Sequence, residues 1–234
     1  SSVLYGPYTL RPSAEEMNET RYFIEVISGK NVNVVWGATS IERETHAIPI
    51  KIPLAKGLLG YRIGLIHSDL QSRFSQVKTS KELSNFIFGL GIGWGEVPIY
   101  RAAGFQVVES NYDNLFKMLN AGRIDYLSRG INEIWGEFEF YSQDNPNISI
   151  ENTLLLHSIF PYYFFVTPKD KKLAERIEFG MRQMLKDGSY DAIFLKYNKE
   201  AINRAQLDKR RIIEIINPNL PPDTPKDPEL WYSP

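Results

Sequence analysis

The chain has 234 residues, enough for one large domain or for two small ones that each bury a core. Its 27 basic and 28 acidic residues give a formal charge of -1, which excludes broad electrostatic attraction to nucleic acid or to an anionic membrane. The absence of cysteine excludes disulfides and thiolate metal sites, and no apolar stretch is long enough to cross a bilayer. The first residues do not form a basic segment followed by an apolar one, as a signal peptide would. We therefore expect a signal peptide to be absent or already removed.

The first part of the chain predicts a strand, a helix and further strands. Residues 3–10 are rich in β-forming side chains and predict the opening strand. Ser13 and Glu16 have the spacing of a capping box, which predicts a helix that Gly29 ends. Short apolar runs predict strands at 32–36, 48–52 and 61–66.

From residue 86 onward the pattern alternates regularly between strand and helix. Strands are predicted at 86–90, 105–108 and 124–128, with helices at 96–103 and 112–121 between them. This alternation predicts a parallel sheet covered by helices on both faces.

The last part of the chain is predicted to be mostly helical. Thr167 should cap a helix that has Pro168 at its first position and that Gly188 ends. The other predicted elements are strands at 148–156, 162–166 and 212–216, a helix at 190–205 and an extended proline-rich tail at 217–234.

Every second residue from 89 to 95 is a glycine, and this segment lies between a predicted strand and a predicted helix. A dinucleotide-binding fingerprint is not met, because its third glycine would fall on Trp94 or Glu96. A turn of this kind can offer backbone N–H groups to an anion, or it can simply be tight. Trp94 could form a wall against which a ligand stacks, or could serve only for packing. The ligand-contacting residues predicted in this turn are Gly93, Trp94 and Gly95.

A second candidate segment follows the predicted strand at 32–36. It should lie at the carboxyl end of that strand, where open α/β sheets bind ligands. Arg43 can hold a carboxylate through two parallel hydrogen bonds, and Thr39 and Ser40 can add donors. Taken alone, an arginine in this position is more often a solvated surface charge. Trp36 is a candidate stacking wall or a packing residue.

A third segment, residues 128–133, follows another predicted strand at the equivalent end. Arg129, Asn132 and Glu133 could contact a ligand there, although helix capping would also explain their presence. The three histidines are scattered and form no metal or catalytic pattern, so no metal and no cofactor is predicted. The basic run at 209–211 is typical of a solvated face and does not indicate nucleic-acid binding.

Three stretches resemble the type II periplasmic solute-binding proteins related to the amino-acid receptors of ABC transporters. Residues 39–43 (TSIER) resemble the loop in which hydroxyl groups and an arginine hold a ligand carboxylate. Residues 120–126 (NAGRIDY) resemble the helix-to-strand turn of the second lobe. Residues 163–197, which include LKDGSY, resemble the return strand and the closing pair of helices.

The resemblance implies a two-lobed α/β fold with mixed, mostly parallel sheets and two crossover strands. Lobe one would comprise 1–60 and 158–234, and lobe two 61–157, with the ligand bound between them. The implied function is that of a periplasmic or extracellular receptor, a monomer without catalytic activity, that closes around a small anionic ligand for ABC transport. The ligand would be an amino acid or another carboxylate, and the protein partner a membrane permease or sensor.

Two other functions remain open at this point. Similar lobes serve as ligand-sensing input modules of signalling systems, and some proteins that resemble this family are dehydratases. An enzyme would need a carboxylate with a raised pKa near the ligand, and Glu96 and Glu133 are the candidates for that role.

The sequence departs from the family pattern at two places. Family members usually begin with a strand and a helix that precede the strand predicted at 3–10, and this chain has no room for them. In amino-acid receptors an aspartate eight residues after the turn glycine commonly holds the ligand ammonium, and the same count from Gly122 reaches Gly130. Asn132 or Glu133 could substitute, or the ligand could be an acid without an amino group.

Overall fold

The computed structural model describes the backbone of residues 2–234 and the side chains of residues 4–234. The chain folds into two compact units. Unit one consists of residues 2–56, Pro161–Tyr197 and Leu220–Trp231, and unit two of Gly57–Phe160, Asn198–Asn219 and Tyr232–Pro234.

Glycine and polar caps divide the first half of the chain into short elements. Asn18 caps one helix by accepting a hydrogen bond from the Arg21 amide, and Gly29 ends that helix in the left-handed conformation, with φ of 61°. The elements in chain order are α1 Ser2–Tyr5, α2 Glu19–Ser28, β1 Val34–Ala38, α3 Ile41–His46, β2 Ile48–Ile50, β3 Tyr61–His67, α4 Gln71–Phe74, α5 Ser80–Leu83, β4 Ile87–Gly91, α6 Glu96–Ala102 and β5 Gln106–Ser110.

The second half contains the longest helices. Asp170 caps one of them by accepting a hydrogen bond from the Leu173 amide. The elements are α7 Tyr112–Asn120, β6 Tyr126–Gly130, α8 Ile134–Tyr141, β7 Ile148–Ile150, β8 Leu154–His157, β9 Tyr162–Val166, α9 Lys171–Lys186, α10 Ser189–Ala205 and β10 Arg211–Glu214.

Unit one is built on a three-stranded sheet in the order β1-β9-β2, with β9 antiparallel to both neighbours. Helix α2 packs Phe23 and Val26 against one part of this sheet, in a cluster that includes Phe165. Helix α9 contributes Ala174 and Met181 to a second cluster. The apolar side chains of both helices are therefore buried against strands.

Unit two contains a larger mixed sheet in the order β10-β8-β3-β6-β4-β5, with β7 also paired to β3. Strands β5, β4 and β6 are parallel neighbours, as are β10 and β8, whereas β3 is antiparallel to β6, β7 and β8. Because β4, β5 and β6 run in the same direction, their carboxyl ends lie at one edge of the sheet. The prediction of mixed α/β sheets is confirmed.

The opening of the chain differs from the prediction. A short helix covers Ser2–Tyr5, and no strand forms at 3–10. Gly6 adopts a left-handed φ of 78° and Pro7 has no amide hydrogen, so the chain cannot continue there as a paired strand.

Two predicted helix starts also lie too early in the chain. Ser13 makes a local turn by accepting a hydrogen bond from the Glu15 amide, and the helix begins only after Asn18. The later helix is capped by Asp170 and not by Thr167. In both cases a second side chain able to cap lies closer to the apolar stripe.

The predicted lobe boundaries differ from the observed ones mainly at the C-terminus. Residues 198–219 and 232–234 were expected in lobe one, but they belong to unit two. The reason for 198–219 is that β10 pairs in parallel with β8, with Ile212 opposite Leu155. Along residues 2–234, no helix combines the length and the apolar character needed to span a membrane.

Candidate functional site

In unit one, the turn from β1 into α3 is held by hydroxyl groups. The Ser40 hydroxyl oxygen caps α3 by accepting a hydrogen bond of 3.1 Å from the Arg43 amide. The Thr39 hydroxyl donates to the Glu44 carboxylate at 2.6 Å. Both predicted hydroxyl residues therefore shape the segment that carries Arg43.

The Arg43 guanidinium is fixed by three contacts within unit one. Its Nη1 atom lies 2.6 Å from Glu19 Oε1 and 2.7 Å from the Ala38 carbonyl oxygen, and the group lies over the Phe23 ring, 4.0 Å from its centroid. The side chain is 20% exposed. The hydrogen bonds to Glu19 and Ala38 thus use the same one of the three guanidinium nitrogens.

Trp36 lies on the exposed face of β1. Its neighbour Val35 points into the core, and the alternation of the strand leaves Trp36 56% exposed. The Trp36 ring lies 5.7 Å from that of Tyr162 on the paired strand β9. The two rings form an aromatic surface on unit one.

In unit two, the glycine-rich turn after β4 places Trp94 at the carboxyl edge of the sheet. The indole packs over Gly91 so closely that a Cβ at Gly91 would lie 2.2 Å from a ring atom, which explains the glycine there. The Gly93 amide donates to Glu109 at 3.3 Å, and the Trp94 amide donates to the Gly91 carbonyl. These two amides, predicted to bind an anion, thus have partners within the chain, and Gly95 is the N-cap of α6.

Arg129, at the end of β6, is the centre of a polar cluster at the same edge. Its guanidinium donates two hydrogen bonds of 2.5 Å to Glu137 and lies 3.1 Å from Glu133. It also lies over the rings of Trp94 and Tyr112, 4.6 Å and 5.6 Å from their centroids. The side chain is only 8% exposed.

Carboxylates within unit two balance the positive charge of Arg129. Burial alone would lower the pKa of Arg129, but the carboxylates of Glu133 and Glu137 outweigh it and raise that pKa above its ordinary value. Burial, together with the hydrogen bond to Glu137, raises the pKa of Tyr112 as well, although Arg129 opposes the shift. Arg129 therefore stays charged, with its charge directed at these two glutamates.

Asn132 and Glu133 occupy the turn between β6 and α8. Asn132 is exposed, whereas Glu133 Oε2 accepts a hydrogen bond of 3.0 Å from the Gly130 amide. A Cβ at Gly130 would lie 2.8 Å from Asn132 Oδ1 and 2.9 Å from Leu59 Cδ2. A side chain at this position, where the amino-acid receptors that the sequence resembles carry an ammonium-binding aspartate, would therefore require the Asn132 and Leu59 side chains to shift.

Glu96, the other carboxylate considered for catalysis, is buried in unit two. It pairs with Arg62 at 2.7 Å, and both side chains are nearly inaccessible. Arg62 also donates to the Ser128 hydroxyl and carbonyl oxygens, and the hydroxyls of Ser128 and Tyr100 lie 2.6 Å apart. Arg62 and Glu96 line a small cavity together with Ser158. The Glu96 carboxylate is thus an ion-pair partner at the base of the Trp94 turn.

Several side chains around the candidate residues were not predicted from the sequence. The spacing of Glu133 and Glu137, four residues apart at the start of α8, was the one available signal, because residues with this spacing lie on one face of a helix. No group of three or more metal-ligating side chains is present among the described residues. The residues missed are Glu19, Phe23, Tyr112, Glu137 and Tyr162.

No family model and no curated protein matches the sequence. Solved structures do match. An ancestral arginine-binding protein bound to arginine is 20% identical, with 78% of each chain covered and a TM-score of 0.59. The ABC transporter substrate-binding protein AbpA from Streptococcus pneumoniae, bound to L-arginine, is 14% identical over 82% of this chain and 76% of that one, with a TM-score of 0.58.

A third structure is the ancestral amino acid-binding protein AncCDT-1, a precursor of cyclohexadienyl dehydratase. It is 15% identical over 75% of this chain and 72% of that one, with a TM-score of 0.53. At this level of identity the similarity concerns the fold. The chain therefore has the fold of the amino-acid-binding proteins of ABC transporters, the type II periplasmic binding protein fold.

Proposed function

We propose that this chain is an extracytoplasmic receptor that binds a small carboxylate-bearing solute of the amino-acid class. The observation that carries the proposal is the Arg43 guanidinium, held by Glu19 and the Ala38 carbonyl while part of it stays exposed. A membrane permease of the ABC type is the partner that we propose. The similarity in fold to amino-acid-binding proteins supports the same function.

The environment of Arg43 suits a carboxylate for a geometric reason. Because Nη1 is engaged by Glu19 and Ala38, the planar guanidinium is already oriented before a ligand arrives. A fixed donor loses less side-chain entropy on binding than a mobile one. A carboxylate that approaches the other nitrogens can form two parallel hydrogen bonds.

The aromatic surface of unit one supports binding of the rest of the solute. Trp36 is more than half exposed and lies next to Tyr162, so the pair offers apolar area to a ligand. Sites for small molecules commonly combine such aromatic surfaces with a few oriented polar groups.

We also propose that the solute is bound without being chemically changed. Glu96 and Glu133 are the carboxylates that the sequence suggested for catalysis, and both are ion-paired, with Arg62 at 2.7 Å and with Arg129 at 3.1 Å. Each carboxylate is thus already engaged by a guanidinium within the chain, whereas a catalytic acid or base has to reach the solute. NMR spectra of a bound amino acid should show no product after prolonged incubation, and any turnover that Glu133→Gln abolishes would contradict this view.

The Arg43 assignment is tested by calorimetric titration with individual L-amino acids. We expect Arg43→Ala to weaken the binding of every ligand at least about 100-fold, because the carboxylate loses its two charge-assisted hydrogen bonds. Arg43→Lys should also bind weakly, since a lysine keeps the charge next to Glu19 but cannot form the planar pair of bonds.

The control is Arg182→Ala, which removes an exposed arginine of unit one that pairs with Glu178 on α9. Its affinities should match those of the wild type. Circular dichroism spectra of all variants should be unchanged, which separates lost binding from lost folding. Wild-type affinity in folded Arg43→Ala would overturn the assignment.

A further inference from the structure

We propose that unit one contains a conformational switch: a strained turn at residues 53–56 that the C-terminal segment and the start of α10 hold closed. Loss of these contacts opens the turn. We call the C-terminal segment, Leu220–Trp231, the strap. The turn, the strap and the first residues of α10 all belong to unit one, and the switch does not depend on which solute the chain binds.

The strain lies in the backbone of Ala55 and Lys56. Their φ angles are 49° and 52°, in the left-handed region, where the Cβ of an L-residue crowds the following carbonyl oxygen. Among the described residues, Gln206 is the one other non-glycine residue with a positive φ, and its neighbours do not share it. Two adjacent residues persist in this conformation only when the contacts around them hold the backbone in place.

The Lys56 side chain makes two of the contacts that hold the turn. Its Nζ atom lies 2.6 Å from Asp191 Oδ1, in the first turn of α10, and donates a hydrogen bond of 3.1 Å to the Glu229 carbonyl oxygen of the strap. The Lys56 side chain is only 15% exposed. The ammonium group therefore joins the strained backbone to both the strap and α10.

The beginning of the turn is held by a second set of contacts. The Pro53 carbonyl oxygen accepts a hydrogen bond of 2.6 Å from the buried Tyr190 hydroxyl, and it also accepts one from the Lys56 amide. Leu54 of the turn and Leu230 of the strap pack against the same apolar cluster, which includes Tyr190. The strap thus supports the turn through apolar packing as well as through Lys56.

These contacts give the turn two states. In the closed state, the contacts of Lys56 and Tyr190 offset the strain of the left-handed backbone. When the contacts of Lys56 are lost, the strain favours an open state in which Ala55 and Lys56 have negative φ angles. The strain therefore acts as a force for opening, and the strap acts as its restraint.

The strain is tested by Ala55→Gly, because glycine adopts a left-handed φ without steric cost. We expect this variant to raise the equilibrium constant for folding at least about twofold in urea unfolding, although glycine also makes the unfolded chain more flexible. The matched control is Ala192→Gly, at an exposed position of α10. There glycine should lower the same constant at least about twofold, as it does in ordinary helices.

The restraint is tested by Lys56→Met, which keeps an unbranched apolar side chain and removes the ammonium group. Backbone NMR couplings of Ala55, which differ between positive and negative φ, should change to those of a negative φ. Amide hydrogen exchange in the strap should become at least about threefold faster, because the strap loses its contact with the turn. Lys186→Met, an exposed lysine at the end of α9, is the control and should change neither readout.

Combining the two replacements separates strain from the simple loss of a contact. In the Ala55→Gly background, Lys56→Met should accelerate exchange in the strap less than it does in the wild type, because less strain drives opening. Equal destabilisation by Ala55→Gly and Ala192→Gly would overturn the proposal. Couplings of Ala55 that stay those of a positive φ in folded Lys56→Met, with unchanged exchange in the strap, would overturn it as well.

Discussion

Arg62 and Glu96 form a buried ion pair beneath the turn that carries Trp94. Each charge is removed from water and depends on the other, with Ser128 accepting further hydrogen bonds from the guanidinium. A buried pair of this kind adds little net stability compared with apolar packing, but loss of one partner leaves an unpaired charge in the interior. The pair fixes the first residue of α6 to β3 and thereby positions the turn.

We therefore expect Glu96→Ala to destabilise the chain by about 3–5 kcal/mol, as measured by urea unfolding. Replacement of both charges, as in Arg62→Met combined with Glu96→Leu, should cost clearly less. The control is Arg101→Ala, which removes one partner of an exposed ion pair and should cost no more than about 1 kcal/mol. An equal loss for the single and the double replacement would contradict the account of the unpaired charge.

The sequence indicated the residues of the candidate site better than their partners. Arg43 and Arg129 could be chosen because each follows a predicted buried strand. The contact of Arg43 with Glu19 joins residues on different elements, and no local pattern signals it. The sequence already shows that a glycine, Gly130, stands where the resembling receptors carry an aspartate, but only the structure shows that Asn132 and Leu59 would have to shift to admit a side chain there.

Among the elements, the segment after α10 distinguishes this chain. Strand β10 joins the sheet of unit two next to β8, and residues Leu220–Trp231 then belong to unit one. There Asp223 pairs with Lys51 at 2.5 Å, and Leu230 packs against an apolar cluster. The segment is therefore bound along its length and is not a free tail.

The attachment of this segment should depend on pH. The hydrogen bond from Lys51 lowers the pKa of Asp223 below its ordinary value. A lowered pKa means that the ionised carboxylate stabilises the folded chain at neutral pH, and that this contribution is lost as the pH falls through the lowered pKa. At neutral pH, Asp223→Asn should speed hydrogen exchange in residues 220–231.

As the pH is lowered through the pKa of Asp223, and after correction for intrinsic exchange rates, this difference between wild type and variant should shrink, because the carboxylate becomes protonated. Asp144→Asn, an exposed position in unit two, provides a control and should not change exchange in the segment. Equal exchange of wild type and Asp223→Asn at neutral pH would show that the ion pair does not hold the segment.

The sequence predicted strands and helices correctly where the spacing of apolar residues and the glycines that end helices indicate the same boundaries. The predicted strands and helices between 86 and 128 lie within two residues of β4, α6, β5, α7 and β6. The strand predicted at 3–10 was wrong, because a strand needs a partner that local composition does not supply. The helix starts at Asn18 and Asp170 were missed because two side chains able to cap competed in each case.

At the scale of the whole molecule, the α/β class and the mixed sheets followed from the alternation of elements and from the resemblance to a family. The boundaries between the two units in the C-terminal part could not be predicted in this way. They depend on the pairing of β10 with β8 and on the contact of Tyr232 with Tyr61, which join residues far apart in the sequence. The chain consequently passes between the two units at more points than the two crossovers that the resemblance implied.

The central claim is that the chain is a receptor for a small carboxylate-bearing solute held by Arg43. Native mass spectrometry of the wild-type chain, equilibrated with a mixture of the standard L-amino acids, tests this claim most directly. We predict a single 1:1 adduct with the mass of one amino acid, absent from Arg43→Ala. The claim would be contradicted by a wild-type chain without an adduct, or by an equally abundant adduct in the variant.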